Sequence, residues 1–138
     1  MKNEIIKQIG TFPLLREQYR KDFPTGIIVL KHGEHKGAGR GFGAIHILAE
    51  HTADLKRNGL SFNEAGVCRY IEMILQTGAG IYCEFDNLRG PQRPMIVWSR
   101  IGTVILERQK KNGLTYYSVV TAFGGTKARG TKIGIMHG

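Results

Sequence analysis

The hydrophobic positions of this chain change their period part-way along it. Ile5, Ile6 and Ile9 recur at helical spacing and stop at Gly10, a residue suited to the position just past a helix end. Thr11 can cap a second short helix, with Pro13 in its first turn, Leu14, Leu15 and Tyr19 along one side, and Pro24 as its stop. The run Ile27, Ile28, Val29, Leu30 is short and rich in β-branched residues, which predicts a buried strand, and a long loop follows over 31–43. Next, Ala44, Ile45, Ile47, Leu48 and Leu55 fall on one arc at helical pitch, with Glu50, Asp54 and Arg57 on the remainder, predicting a helix over 44–57. Ser61-Phe62-Asn63-Glu64 has the form of a capping box, heading a helix that buries Val67, Ile71, Ile74 and Leu75 and ends at Gly78. Strand patterns then take over, at 81–85, 95–99, 103–108 and 115–123, the last two joined across Asn112-Gly113, a strong hairpin signal. Helices first and a strand meander afterwards predict an α+β fold, with N-terminal helices packed on an antiparallel sheet.

A chain of 138 residues without repeats or linker tracts reads as one domain, with a helical part over about 1–78, a sheet part over 79–123 and a basic tail over 124–138. Its 41% hydrophobic residues exclude a disordered segment. No stretch approaches the roughly 18 apolar residues of a membrane span, and the opening 15 residues hold Lys2, Glu4 and Lys7 in place of an apolar export signal. The expectation is a cytoplasmic site of action, reached as part of a larger effector if the protein works outside its maker. Cys68 and Cys83 form no CxxC and read as small hydrophobes in a reducing compartment. Charge changes the picture more: 20 Lys and Arg against 11 Asp and Glu give +9, which makes a polyanion the first partner to consider.

The densest candidate chemistry lies over 31–46. Glycines at 37, 39, 41 and 43 let the backbone turn amides toward an anion ahead of a helix N-terminus, and Arg40 can add a bidentate phosphate contact. The fit of Gly39-x-Gly41-x-x-Ala44 to a dinucleotide fingerprint is nominal, because no βαβ repeat follows, and no Walker lysine is present. His46 falls in the first turn of its helix, on the stripe of Glu50 and Arg57; the positive dipole end lowers its pKa and leaves a usable base at neutral pH. His51 falls on the apolar arc, as a core or supporting histidine. Five residues apart, the two stand about 140° around the helix, so they do not form a paired zinc site; no metal and no cofactor are expected. Lys31, His32, His35, Lys36, Arg40, Arg89, Arg93, Arg100, Arg108 and Lys127 lie in loops or at strand ends among Trp98, Tyr116, Tyr117 and Phe123. Cations interleaved with aromatics suit single-stranded RNA.

Two segments, 41–51 (Gly-Phe-Gly-Ala-Ile-His-Ile-Leu-Ala-Glu-His) and the strand end Val119-Val120-Thr121-Ala122-Phe123, resemble the phage-associated branch of the barnase/EndoU/colicin/RelE-like nucleases, a similarity spanning about 31–123. The resemblance implies helices on an antiparallel sheet and a metal-independent toxin-type ribonuclease, with tRNA among its candidate substrates and an acidic immunity or antitoxin protein as partner. It carries over to His46, His51 and Thr121. Where some relatives have tyrosine, this chain has Phe123, so Tyr116 or Tyr117 would have to supply a phenol. The chemistry expected is attack by the RNA 2′-hydroxyl, leaving 2′,3′-cyclic phosphate and 5′-hydroxyl ends. His46 serves as base or acid and Thr121 binds the scissile phosphate. Arg100, Arg108 or Lys127 is the transition-state cation, His51 and Tyr117 support, and Lys31, His32, Arg40, Gly41, Gly43 and Lys127 hold phosphate. Two other readings compete: a basic module that binds nucleic acid without cutting it, and a transferase cradling a nucleotide cofactor in the glycine loop.

Overall fold

The computed structural model describes residues 1–85, 95–125 and 128–137, so Arg89, Arg93 and Lys127 lie outside the described residues. The fold is mixed α/β: a mostly antiparallel sheet with a few helices packed against one face. The chain opens with a strand where the isoleucine spacing predicts a helix: β1 spans Ile5–Phe12 and pairs antiparallel with β2, Gly26–Lys31. The register shifts twice, between Ile5 and Lys7 and between Gln8 and Gly10, so Ile6 and Ile9 fall at bulges. Each bulge adds a residue and breaks the alternation of a strand, which turns a period of two into a spacing of three. The helix predicted after Thr11 is reduced to α1, Glu17–Arg20.

The segment predicted as a loop after β2 forms a small antiparallel hairpin, β3 (Glu34–Gly37) and β4 (Arg40–Phe42). The helix predicted over 44–57 is two helices, α2 (Gly43–Glu50) and α3 (Thr52–Arg57), separated at His51, whose φ of −126° and ψ of 28° leave the helical region. The next helix, α4, spans Glu64–Ile74 and is capped by Asn63, whose side chain accepts from the Gly66 amide at 2.9 Å; Ser61 instead donates to Asn63 Oδ1.

Strands β5 (Gly80–Cys83), β6 (Met95–Trp98), β7 (Thr103–Lys111) and β8 (Leu114–Phe123) follow where the alternation predicts them. Asn112 and Gly113 both take positive φ, as a two-residue hairpin turn between β7 and β8 requires. The basic tail is no appendage: it supplies β9, Thr131–Ile135, on the edge beside β5. The sheet order is β1-β2-β8-β7-β6-β5-β9, antiparallel except where β2 runs parallel to β8. Joining β2 to β8 brings both ends of the chain onto one core under α2, α3 and α4, built on Phe12, Ile28, Leu30, Ile47, Leu55, Tyr70, Ile71, Val104 and Tyr117. A register shift between Ile105 and Leu106 places Val120 at a bulge, so β8 sends Tyr117, Val119 and then Ala122 into the core.

Candidate active site

The β3–β4 hairpin folds back over the start of α2, and glycine permits the approach. At Gly41, φ is +141°, and a Cβ there would stand 2.3 Å from the Glu34 carbonyl oxygen and 3.0 Å from His46 Nδ1. At Gly43, φ is +80°, and a Cβ would stand 2.7 Å from the Lys31 carbonyl oxygen. Both glycines therefore serve close backbone packing, where the sequence suggests an anion cradle. The loop does turn one amide to an anion, but the anion belongs to the protein: the Gly39 amide donates to Glu50 Oε1.

That packing sets His35, on β3, against His46, on α2, with 3.2 Å between their Nδ1 atoms. The other ring nitrogen of His46, Nε2, lies 3.6 Å from Glu50 Oε2 one turn along the helix. His46 is buried, at 3% exposure, whereas His35 is exposed. The three side chains thus form a line from solvent inward and back to the Glu50 carboxylate. Beside them the His51 ring stands edge-on to His46 at 6.3 Å and lies 5.6 Å from the Phe123 ring, its Nδ1 3.7 Å from Asp54 Oδ2. Asp54 in turn holds Arg57 at 2.8 Å.

Burial holds the His46 pKa below the ordinary histidine value; the Glu50 carboxylate pulls it back up, and charge on His35 or His51 lowers it further. The sequence expects this direction from the helix N-terminus, while the leading cause in the structure is loss of water around the ring. The Glu50 carboxyl is held below its ordinary value, first by the Gly39 amide and also by the neighbouring histidines, against a smaller opposing effect of burial. An ionised Glu50 favours the tautomer with the proton on His46 Nε2. His46 Nδ1 is then an acceptor, His35 Nδ1 donates to it, and His35 Nε2 keeps a free lone pair.

Donor atoms of His35, His46 and Glu50 lie within 4.8 Å of one another, close enough to share a metal ion, although the His46–His51 spacing predicts no metal. His46 turns Nδ1 to His35 and Nε2 to Glu50. The same contacts can pass a proton from ring to ring or bring three donors to one ion.

The other sequence candidates are dispersed. Thr121 stands opposite Ile105 in β7 and is half-buried, its hydroxyl oxygen out of solvent and without a hydrogen-bond partner among the described residues. Tyr117 is fully buried, stacked on Phe12 at 4.2 Å, and donates its hydroxyl to the Pro24 carbonyl; burial raises its pKa well above the ordinary tyrosine value. Arg108 donates to the Asp22 carbonyl and serves packing at that end of β7. Arg100 is exposed in the β6–β7 turn and lines a separate cleft with Tyr82, Trp98 and Lys132. His32 lies 3.5 Å from Glu64, and Lys31 is buried against Gln109 and Tyr116. Arg40 is exposed on the hairpin next to Gly41, the partner of His35.

Two members of the line escape the sequence reading. Glu50 has a signal there, since it follows His46 at i,i+4 and so shares its helix face. His35 carries none beyond being one of several loop cations, because only the hairpin brings it to α2. In comparisons with known proteins, the chain matches no family model, no curated protein and no solved structure. Among the described residues no helix is long and apolar enough to cross a membrane.

Proposed function

We propose that this protein is an endoribonuclease of the barnase/EndoU/colicin/RelE-like kind that cleaves RNA by 2′-hydroxyl attack without a metal-bound nucleophile. The observation that supports it most is the buried His46 joining an exposed histidine to a carboxylate. Helices on one face of a mostly antiparallel sheet agree with the architecture that this resemblance implies. In this reading the reacting role passes from His46 to His35, the exposed ring, and His46 and Glu50 are its positioning residues. His35 Nε2 takes the 2′-hydroxyl proton as O2′ bonds to phosphorus. His35 then carries a positive charge, which His46 accepts through a hydrogen bond and Glu50 offsets. When the bond from phosphorus to O5′ breaks, the same proton goes to O5′, leaving a cyclic phosphate and a 5′-hydroxyl. Of the hairpin's cations Lys36 is paired with Glu34, and Arg40 is the one assigned to the phosphorane charge. An acidic partner that covers this hairpin would silence the enzyme, and a +9 chain would attract one quickly at low salt.

The test is cleavage of RNA in EDTA, with chemical analysis of the new ends, for the parent, His35→Ala, His46→Ala and the double variant. Each single change is expected to lower the rate by about 10²- to 10⁴-fold. Residues acting as one unit are non-additive, so the double variant should fall no further than the worse single one. Multiplied losses would refute the relay. Intact RNA from a folded parent protein that still binds RNA would overturn the enzyme in favour of a binding module.

A further inference from the structure

A second surface feature lies away from the histidines. Alternation along β8 puts Tyr117 and Val119 in the core and Leu114 and Tyr116 on the opposite face of the sheet, with Gln109 and Lys111 beside them on β7. Across β2 and β1 this face continues through Ile27 and Ile5, and together these residues line a groove of about 810 Å³. Among the described residues three lysines, 31, 110 and 111, line it, and no carboxylate does. Ile5, Ile27 and Leu114 are 49%, 41% and 74% exposed, an unusual amount of apolar surface between cations.

Lys31 is the informative member. It is 6% exposed, and its ammonium donates to Gln109 Oε1 and to the Tyr116 hydroxyl, both at 2.9 Å, while lying 5.1 Å from the centre of the Tyr116 ring. Both acceptors are neutral, and among the described residues Lys31 has no ion pair. A buried cation held this way gains from an anion placed beside it. A neighbouring cleft of about 480 Å³ shares Asn3 and Gln109 with the groove and reaches Gly41, against which His46 Nδ1 is packed.

We propose that the groove binds a single-stranded RNA segment flanking the scissile bond, its phosphates on Lys31, Lys110 and Lys111 and its bases on the apolar floor. This rests on the ribonuclease reading for its biological meaning. Alternating anionic and flat apolar groups are what the lining complements, and base faces tolerate any sequence on such a floor. Lys110 and Lys111 are exposed, so replacing them leaves the fold intact.

The experiment is fluorescence-anisotropy binding of a 2′-O-methyl octanucleotide, which has no free 2′-hydroxyl and cannot be cleaved, by the parent and by Lys110→Gln/Lys111→Gln over a salt series. Each lost phosphate contact lowers the salt slope by about 0.7 for a single strand, so the double variant should lose about 1.4 and bind more weakly. An unchanged slope and affinity would overturn the proposal. Binding of poly-glutamate through the same lysines, with RNA unaffected, would also overturn it and make the groove a protein-docking surface. Because the probe is never cut, this result is independent of catalysis: a protein that cleaves nothing can still bind through the groove, and one that cleaves can fail to.

Discussion

Replacing Gly41 by alanine separates the two roles open to the glycine loop. At φ +141° the backbone of Gly41 occupies a region that essentially only glycine enters, and holding another residue there costs about 1–3 kcal/mol. The new Cβ would also stand 2.3 Å from the Glu34 carbonyl oxygen, a backbone atom that moves only if β3 moves. If the hairpin stays in place, the cost sits at the upper end of that range, about 2–3 kcal/mol. For a chain of this length that corresponds to a fall in Tm of roughly 6–15 °C. If the hairpin lifts instead, less stability is lost, but His35 leaves His46 and water reaches the buried ring. The His46 titration, followed by NMR of its ring carbons, then moves up toward the ordinary histidine value, since burial and His35 both hold it down. Gly39→Ala is the control: it has positive φ as well, but its Cβ would meet nothing within 4 Å, so only the backbone term of about 1–2 kcal/mol applies. A Gly41→Ala protein that melts within about 2 °C of the parent, with His46 titrating as before, would refute the steric account. Weaker phosphate binding in that same variant would restore the anion-cradle reading of the sequence.

Other outcomes follow from the same contacts. Two tyrosines are fully buried, but the Tyr117 hydroxyl has the Pro24 carbonyl and the Tyr70 hydroxyl has no partner among the described residues. In chemical denaturation Tyr117→Phe should therefore cost about 1–2 kcal/mol and Tyr70→Phe close to nothing, and equal losses would show that Tyr70 is satisfied. Glu50→Gln removes the charge that raises His46, so the His46 titration should move further down, and an upward move would contradict the arrangement. Because the folded-state pKa of His46 lies below its ordinary 6.5, the unfolded chain takes up the proton first as pH falls. Stability should thus decline from about that pH and level off below the folded value, and His46→Gln should flatten this part of a stability–pH curve.

The sequence by itself determined a good deal. Strands β5 to β8, the Asn112-Gly113 turn and α4 are local matters of alternation, turn chemistry and helical pitch, and each was legible residue by residue; the direction of the His46 pKa was legible too, but its leading cause, burial, belongs to packing. Glu50 was within reach for the same reason, being one turn from His46. Where bulges intervened, local reading failed: Ile6 and Ile9 sit at register shifts of β1, and strand bulges mimic helical spacing until a partner strand is known. The end of α2 at His51 and the cap of α4 at Asn63 depend on similarly specific backbone geometry.

Only the tertiary structure decided the rest. The pairing of β2 with β8 joins residues 89 positions apart, and no local pattern records it. That pairing sets Lys31 beside Tyr116, and the hairpin that follows β2 sets His35 on His46, while Tyr117 is buried, the Thr121 hydroxyl is out of solvent and Arg108 meets a backbone carbonyl. A reacting group must be both accessible and held by a neighbour. Exposure and neighbours across the sheet are properties of packing, so the sequence could supply the histidines and lysines, while the fold chose which of them meet.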